Sequence, residues 1–128
     1  MHWLKFWFPV VVYSAIIFGL SRIPGQNIVE PIFYWDKLLH TIEYAGLGLL
    51  YARALSQKPD LIVVQVWALS VIFCYIYGVS DEFHQSFTPG RDSSLWDSLA
   101  DFNGAAIGAG IYLLITQRIR ERAVHVSH

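Results

Sequence analysis

The stretch DKLLHTIEYAGLGLLYARAL, residues 36–55, decides the fold of this chain. Most of it has the length and the apolar character of a membrane helix, because about 20 such residues cross the hydrocarbon core of a bilayer. Its first eight residues nevertheless include Asp36, Lys37, His40 and Glu43. Ionisable side chains are costly inside a membrane, so this concentration at one helix end needs an explanation.

The composition places the chain among membrane proteins. Its 128 residues are 55% hydrophobic and only 15% charged, which is too apolar for an ordinary soluble domain of this length. The formal net charge is -1 and no block of lysine and arginine is present, so we expect no nucleic-acid partner. Cys74 is the only cysteine, which excludes an intramolecular disulfide and a site with several thiolate ligands.

Four apolar segments are each near the length of one membrane crossing: residues 6–20, 38–55, 61–79 and 95–117. We therefore predict an all-α fold, a four-helix transmembrane bundle that forms a single domain over residues 1–128. No small-residue cleavage motif follows the first segment, so we expect it to be kept and not removed as a signal peptide. Residues 56–60 suffice only for a tight turn, which makes the second and third segments an antiparallel hairpin.

The basic residues predict an orientation for this bundle. With four crossings both termini lie on one side of the membrane, and that side holds most of the lysine and arginine residues. Lys5, Arg53, Lys58, Arg118, Arg120 and Arg122 lie on the side of the termini, against Arg22, Lys37 and Arg91 on the other. By the positive-inside rule we expect a multi-pass protein of the inner (plasma) membrane with both termini in the cytoplasm.

The acidic residues are distributed in the opposite way. Only Asp60 and Glu121 belong to the predicted inner half. The other acids belong to the outer half: Glu30, Asp36, Glu43, Asp81, Glu82, Asp92, Asp97 and Asp101. Because acidic residues contribute little to orientation, their asymmetry is independent of the basic count. The unusual polar residues are thus expected to converge on the outer face.

Two of the predicted helices carry a polar stripe at this outer end. Asp36, His40 and Glu43 fall within an arc of about 60° on one face, because successive helical residues are about 100° apart. Glu43 would lie about 10 Å deeper than Asp36. In the fourth segment Asp97 and Asp101 are one turn apart, which repeats the arrangement on a second helix.

The neighbouring sequence adds close packing and a turn. Gly104 and Gly108 continue the face of the fourth helix, and small residues at this spacing let another helix approach closely. The chain turns at Pro89-Gly90 within TPGRDSS. The third segment ends in GVSDEFHQSF and supplies further polar side chains: Ser80, Asp81, Glu82, His84 and Gln85.

Some of these residues have a purely structural explanation as well. Asp36 is placed to cap its helix, and SLWD at residues 94–97 fits a capping box with an acid that faces the helix dipole. Arg91 and Asp92 would also suit a solvated loop. At these positions the structural and the functional explanations stand side by side.

His40 and Glu43 are harder to explain by structure alone. A helix gains no stability from an ionisable pair one or two turns below its end, whereas such residues in membranes usually face partners or a watery cavity. For this pair, and for Asp81, Glu82 and Asp101, we favour a functional role.

The motifs DKLLHTIEYAGLGLL, SDEFHQSFTPGRDSSLWD and DSLADFNGAAIG, with SRIPG at residues 21–25, resemble the VanZ-like family of small membrane proteins. The resemblance implies a polytopic inner-membrane protein of the cell envelope, and the family's namesake is associated with resistance to the glycopeptide teicoplanin. It supplies no biochemical activity. The polar signature that it implies falls on Asp36, Lys37, His40, Glu43, Asp81, Glu82, Gln85, Gly90, Arg91 and Asp97. Asp101 departs from the pattern, which is associated with an asparagine there, as does Asn103 at a usually apolar position.

The first functional hypothesis is a binding site. The outward-facing polar site would bind the headgroup of an envelope lipid or of a lipid-linked cell-wall intermediate. Arg91 and Lys37 would contact an anionic group, since the planar guanidinium suits phosphate and carboxylate. The full set of candidate ligand-binding residues is Asp36, Lys37, Gln85, Arg91, Asp97 and Asp101.

The alternative is an enzyme that acts on such a lipid at the outer face. Its candidate catalytic residues are His40, Glu43, Asp81 and Glu82. His40 with Glu43 or Asp101 would do acid-base work, or His40, His84 and carboxylates would hold zinc or manganese to activate water. The chain has no complete metal-binding motif, so the sequence assigns no metal ligand and identifies no cofactor. A structural or partner-binding membrane protein without a ligand, and a homo-oligomer, are also open.

Overall fold

The computed structural model of the chain describes residues 1–22, 33–90 and 94–127, with side chains throughout except at residues 33–36. Over these ranges the chain forms four helices and no strand, so the predicted all-α, four-helix fold is confirmed. The helices are α1 (His2–Ser21), α2 (Phe33–Leu55), α3 (Val63–Gln85) and α4 (Leu95–Val126).

Three of these helices, α1, α3 and α4, are long and apolar enough to cross a membrane. Many of their large apolar side chains face outward, as Phe8, Val64 and Leu114 do, which is the arrangement expected where lipid is the solvent. The remaining helix, α2, carries ionisable residues near its start and packs most extensively against α4. The fold is therefore that of a membrane bundle in which α2 contacts all three other helices.

All four helices are longer than the apolar segments that predict them, and two extend well past the predicted C-terminal end. Helix α3 continues past Val79 to Gln85, and α4 continues past Gln117 to Val126. An apolar run marks the part of a helix that contacts hydrocarbon, whereas backbone hydrogen bonding continues through polar residues that are solvated or buried against other helices. The extension of α3 matters for function, because it places Asp81 and Glu82 on a regular helix.

Helices α2 and α4 approach closely because small residues line both faces. A Cβ added to Gly104 or Gly108 would collide with the backbone carbonyl oxygens of Thr41 and Ala45, respectively. A Cβ on Gly48 of α2 would collide in turn with the backbone of α4. The predicted small-residue face of α4 is thus confirmed, and α2 supplies a matching face.

The connections set which helix ends meet. The α2–α3 connection is a tight turn in which the Lys58 amide donates to the Leu55 carbonyl at 3.0 Å, so these two helices form the expected hairpin. After α3 the chain turns at Gly90, whose φ of 75° suits glycine, because only this residue takes the left-handed region without strain. The end of α1, the start of α2, the end of α3 and the start of α4 therefore meet at one end of the bundle.

Candidate functional site

Buried polar side chains are concentrated at that end of the bundle. Among the residues whose side chains are described, every buried polar or charged residue except Ser70 lies there. We call this the polar end, and we call its buried side chains, together with Lys37, the polar cluster: Ser21, Lys37, His40, Asp81, Glu82, Gln85, Asp97 and Asp101. All four helices contribute at least one residue to it.

One group within the polar cluster consists of three buried ionisable residues from three helices. His40 Nδ1 and Asp101 Oδ1 are 2.8 Å apart across the α2–α4 interface. Glu82 of α3 completes the group, and one potential ligand atom from each of the three residues lies within 4.8 Å of the others. We call His40, Glu82 and Asp101 the trio. Gly78 leaves space beside it, because a Cβ there would lie only 3.0 Å from Asp101 Oδ2.

Two carboxylate oxygens of the trio lack a hydrogen-bond partner within the described part of the chain. These atoms are Glu82 Oε1 and Asp101 Oδ2. The second oxygen of Glu82 accepts a hydrogen bond from the Ser94 backbone amide at 3.2 Å. A buried polar group without a partner costs about 1–3 kcal/mol, and more when it is charged. The trio is therefore suited to receive hydrogen-bond donors or a cation.

Nearer the end of the bundle, Lys37 of α2 forms an ion pair with Asp97 of α4. Asp97 is buried, whereas the Lys37 side chain keeps 20% exposure, so Lys37 forms the accessible edge of the polar cluster. The predicted capping box of α4 forms only in part: the Ser94 hydroxyl accepts a hydrogen bond from the Trp96 amide at 3.1 Å, but the Ser94 amide donates to Glu82 and not to Asp97. Asp97 therefore lies in the first turn of α4 and also forms an ion pair with Lys37 of α2.

A second polar group ties α1 to α3. The Ser21 hydroxyl lies 2.6 Å and 2.7 Å from the two Asp81 carboxylate oxygens. The Gln85 amide nitrogen lies 3.3 Å from the same hydroxyl. Asp81 and Gln85 are therefore tied to the last residue of α1, which suggests a role in holding that helix beside the trio.

Several residues singled out in the sequence lie elsewhere or beyond the described parts. Glu43 is partly exposed, and its backbone carbonyl accepts the Tyr13 hydroxyl of α1 at 2.8 Å. It does not belong to the trio. The His84 ring packs on Phe18, with 4.4 Å between ring centroids. Arg91, Asp92 and the Asp36 side chain lie outside the described residues, so their roles stay predictions.

Two residues of the site carry little signal in the sequence. Ser21 stands at the start of SRIPG, a motif that contributes to the family resemblance but names no chemistry. Tyr44 is fully buried and its hydroxyl is without a partner among the described residues. Its ring and the Asp101 carboxylate both border Gly78. A tyrosine in an apolar run is usually a packing residue, so only the structure reveals this hydroxyl.

These features define a small integral membrane protein. It has four packed helices, three of which are able to span a bilayer, and a buried polar cluster at one end. The model of the VanZ/LLP1 family matches residues 3–116, and the chain therefore belongs to that family. The resemblance carried by the sequence motifs is confirmed. No curated protein and no solved structure matches the chain.

Proposed function

We propose that this protein binds the polar headgroup of an envelope lipid, or of a lipid-linked cell-wall intermediate, at its polar end. The observation that carries the proposal is the combination of surfaces there. The buried polar cluster lies beside exposed aromatic side chains, with Phe83, Phe87 and Trp96 exposed by 68%, 72% and 66%. A molecule with a polar head and apolar tails matches both surfaces, and aromatic residues commonly lie at the level of lipid headgroups.

The charges within the polar cluster suggest how a headgroup would be held. Lys37, at the accessible edge, suits a phosphate, which would compete with Asp97 for its ammonium group. The unpartnered oxygens of Glu82 and Asp101 suit hydroxyl or ammonium donors deeper in the site. Arg91 stays a predicted second contact for the anionic part of the headgroup.

The proposal includes an orientation in which the polar end faces away from the cytoplasm. It rests on the excess of basic residues on the side of the termini. A reporter that is active only outside the cytoplasm should be active when fused after Pro89 and inactive when fused after His128. The reverse pattern would place the polar end in the cytoplasm and would contradict an outward-facing site.

Lipid analysis of the purified protein tests headgroup binding. The double variant Lys37→Gln/Asp97→Asn removes both charges of the pair and keeps hydrogen-bonding groups in place. We expect it to retain several-fold less co-purified lipid than the wild type. Lys58→Gln, in the turn at the opposite end, is the matched control and should retain the wild-type amount. A folded double variant with an unchanged lipid complement would contradict the proposal.

The link to glycopeptide resistance is part of the same proposal and is tested in cells. Expression in a teicoplanin-susceptible host should raise the concentration of teicoplanin that inhibits growth. His40→Asn should abolish that increase at equal protein abundance, whereas His84→Asn should preserve it. If teicoplanin inhibits growth equally with and without the wild-type protein, the proposed link to resistance would be contradicted.

A second candidate, an enzyme acting on the bound lipid, is favoured by one contact. Asp101 Oδ1 lies 2.8 Å from His40 Nδ1, and a carboxylate in this position orients an imidazole whose other nitrogen can transfer a proton. Incubation of the protein with lipid-linked intermediates, followed by product analysis, tests this alternative. Turnover that is lost in His40→Asn would support catalysis, and intact substrate with the wild type would favour binding alone.

A further inference from the structure

We propose that the trio, His40, Glu82 and Asp101, is a binding site for one divalent transition-metal ion, with zinc and manganese as the best-suited metals. One imidazole and two carboxylates form a mixed nitrogen and oxygen ligand set of the kind that these metals accept. Metal binding at the trio does not depend on the binding of a lipid.

The spacing of the trio fits a single ion after a small adjustment of side chains. Its three ligand atoms lie within 4.8 Å of one another. In a tetrahedral site with bonds of about 2.1 Å, ligand atoms are about 3.4 Å apart. The three residues come from α2, α3 and α4, and rotation of their side chains would have to close this difference. Three protein ligands would leave one position open for water or another ligand.

The unpartnered oxygens are a second, independent indication of a ligand. Glu82 and Asp101 are only 6% and 1% exposed, and each has one oxygen without a partner among the described residues. A cation between these two oxygens would satisfy both. Asp101 Oδ1 lies 2.8 Å from His40 Nδ1, and an ion bound by both residues would replace this hydrogen bond with two metal–ligand bonds. The Tyr44 ring borders Gly78 together with Asp101 Oδ2, and its hydroxyl, which has no partner among the described residues, would suit a hydrogen bond to a water on the ion.

The charge of the site favours a divalent cation as well. The trio combines two buried carboxylates with one imidazole, and the described lysine at this end, Lys37, already forms an ion pair with Asp97. Buried ionised carboxylates are stable only when they are paired or coordinate a metal. An ion of charge +2 would neutralise the two carboxylates of the trio.

The sequence names His40, His84 and carboxylates as possible metal ligands but does not select among them, because the ligands are far apart along the chain. Familiar zinc motifs place two ligands on one helix at short spacing. Here each helix supplies one ligand, and the grouping depends on the packing of three helices. His84, which is near Glu82 in sequence, packs on Phe18 instead.

The test measures binding of Zn²⁺ and of Mn²⁺ alone to the full-length, detergent-solubilised protein after removal of bound metal with a chelator. His125 and His128 are replaced by glutamine in every sample, because histidines near the C-terminus can bind metal by themselves. Equilibrium dialysis with elemental analysis should then give one tightly bound ion per chain for at least one of the two metals. Less than one ion per ten chains for both would overturn the proposal.

Matched variants assign the ion to the trio. His40→Asn, Glu82→Gln and Asp101→Asn should each weaken binding at least tenfold, whereas His84→Asn should leave it unchanged. Tight binding that survives all three trio variants, or that is lost in His84→Asn, would overturn the assignment. Should a trio variant fail to fold, the test instead measures the thermal unfolding midpoint of the protein that carries only the His125 and His128 replacements. Added metal should raise it, and no shift at saturating Zn²⁺ and Mn²⁺ would overturn the site.

Discussion

The interface between α2 and α4 has two halves of opposite character. Toward the polar end the helices meet through an ion pair, Lys37 with Asp97, and a hydrogen-bonded pair, His40 with Asp101. Below them the helices meet through small residues that bring backbone against backbone. In a membrane, close packing of small residues suffices to associate helices, whereas buried charges cost free energy unless they are paired. The small-residue half therefore explains why the bundle forms. The charged half needs a different explanation, and we propose that it serves ligand binding.

The largest expected effect tests the small-residue half. Gly108→Ala would put a methyl group into the Ala45 carbonyl, and overpacking of this kind usually costs about 1–3 kcal/mol. Gly108→Leu should prevent accumulation of folded protein. Unfolding in mixed detergent and denaturant, together with the yield of monodisperse protein, measures both effects.

Gly110→Ala is the control for this prediction. It lies on the same helix, but its added Cβ would meet only Trp67 Nε1, at 3.7 Å, which is an ordinary contact. Alanine is favoured over glycine in a helix by about 1 kcal/mol, so this variant should be neutral or more stable. Equal destabilisation by Gly108→Ala and Gly110→Ala would mean that α2 and α4 do not depend on close approach.

The second prediction tests the charged half through the pair of Lys37 and Asp97. Removal of one partner leaves a buried charge uncompensated, so Lys37→Gln should destabilise the protein by about 2 kcal/mol, less than a fully buried pair because Lys37 is partly exposed. Lys37→Gln/Asp97→Asn removes both charges and should recover most of that loss. Unfolding of wild type, both single variants and the double variant supplies the full cycle. A double variant less stable than either single variant would show that the pair stabilises the bundle, and the contrast between the two halves would then fail.

Much of the fold follows from the sequence, because apolar length alone determines how many helices can cross a bilayer. The polar end follows as well, since the acidic residues are concentrated in segments that must meet once the helices alternate in direction. The small-residue face can also be predicted from the sequence, because the spacing of Gly104 and Gly108 along one helix places them on the same face.

The pairing inside the site could not be predicted from one helix at a time. His40 and Glu43 share a helix face, yet His40 meets Asp101 whereas Glu43 contacts α1 through its backbone. Packed helices cross at an angle, so two residues of one stripe can face different neighbours at different depths. Glu82 joins the trio because α3 extends beyond its apolar run. The sequence leaves Glu43 and Asp101 open as partners of His40, and the structure places Asp101 against the His40 ring.

The smallest expected effect tests whether the N-cap of α4 contributes only to stability or also to ligand binding at the polar end. The Ser94 hydroxyl accepts a hydrogen bond from the Trp96 amide, and loss of such an N-cap costs about 1 kcal/mol. The contact to Glu82 comes from the Ser94 backbone amide, which alanine retains. Ser94→Ala should therefore lower the free energy of unfolding by about 1 kcal/mol and leave metal and lipid binding at wild-type levels. Ser98→Ala, one turn further along α4, should change stability less. A loss of metal binding in folded Ser94→Ala would show that the cap also sets the position of Glu82, and the stability of α4 and the chemistry of the polar end would then be coupled.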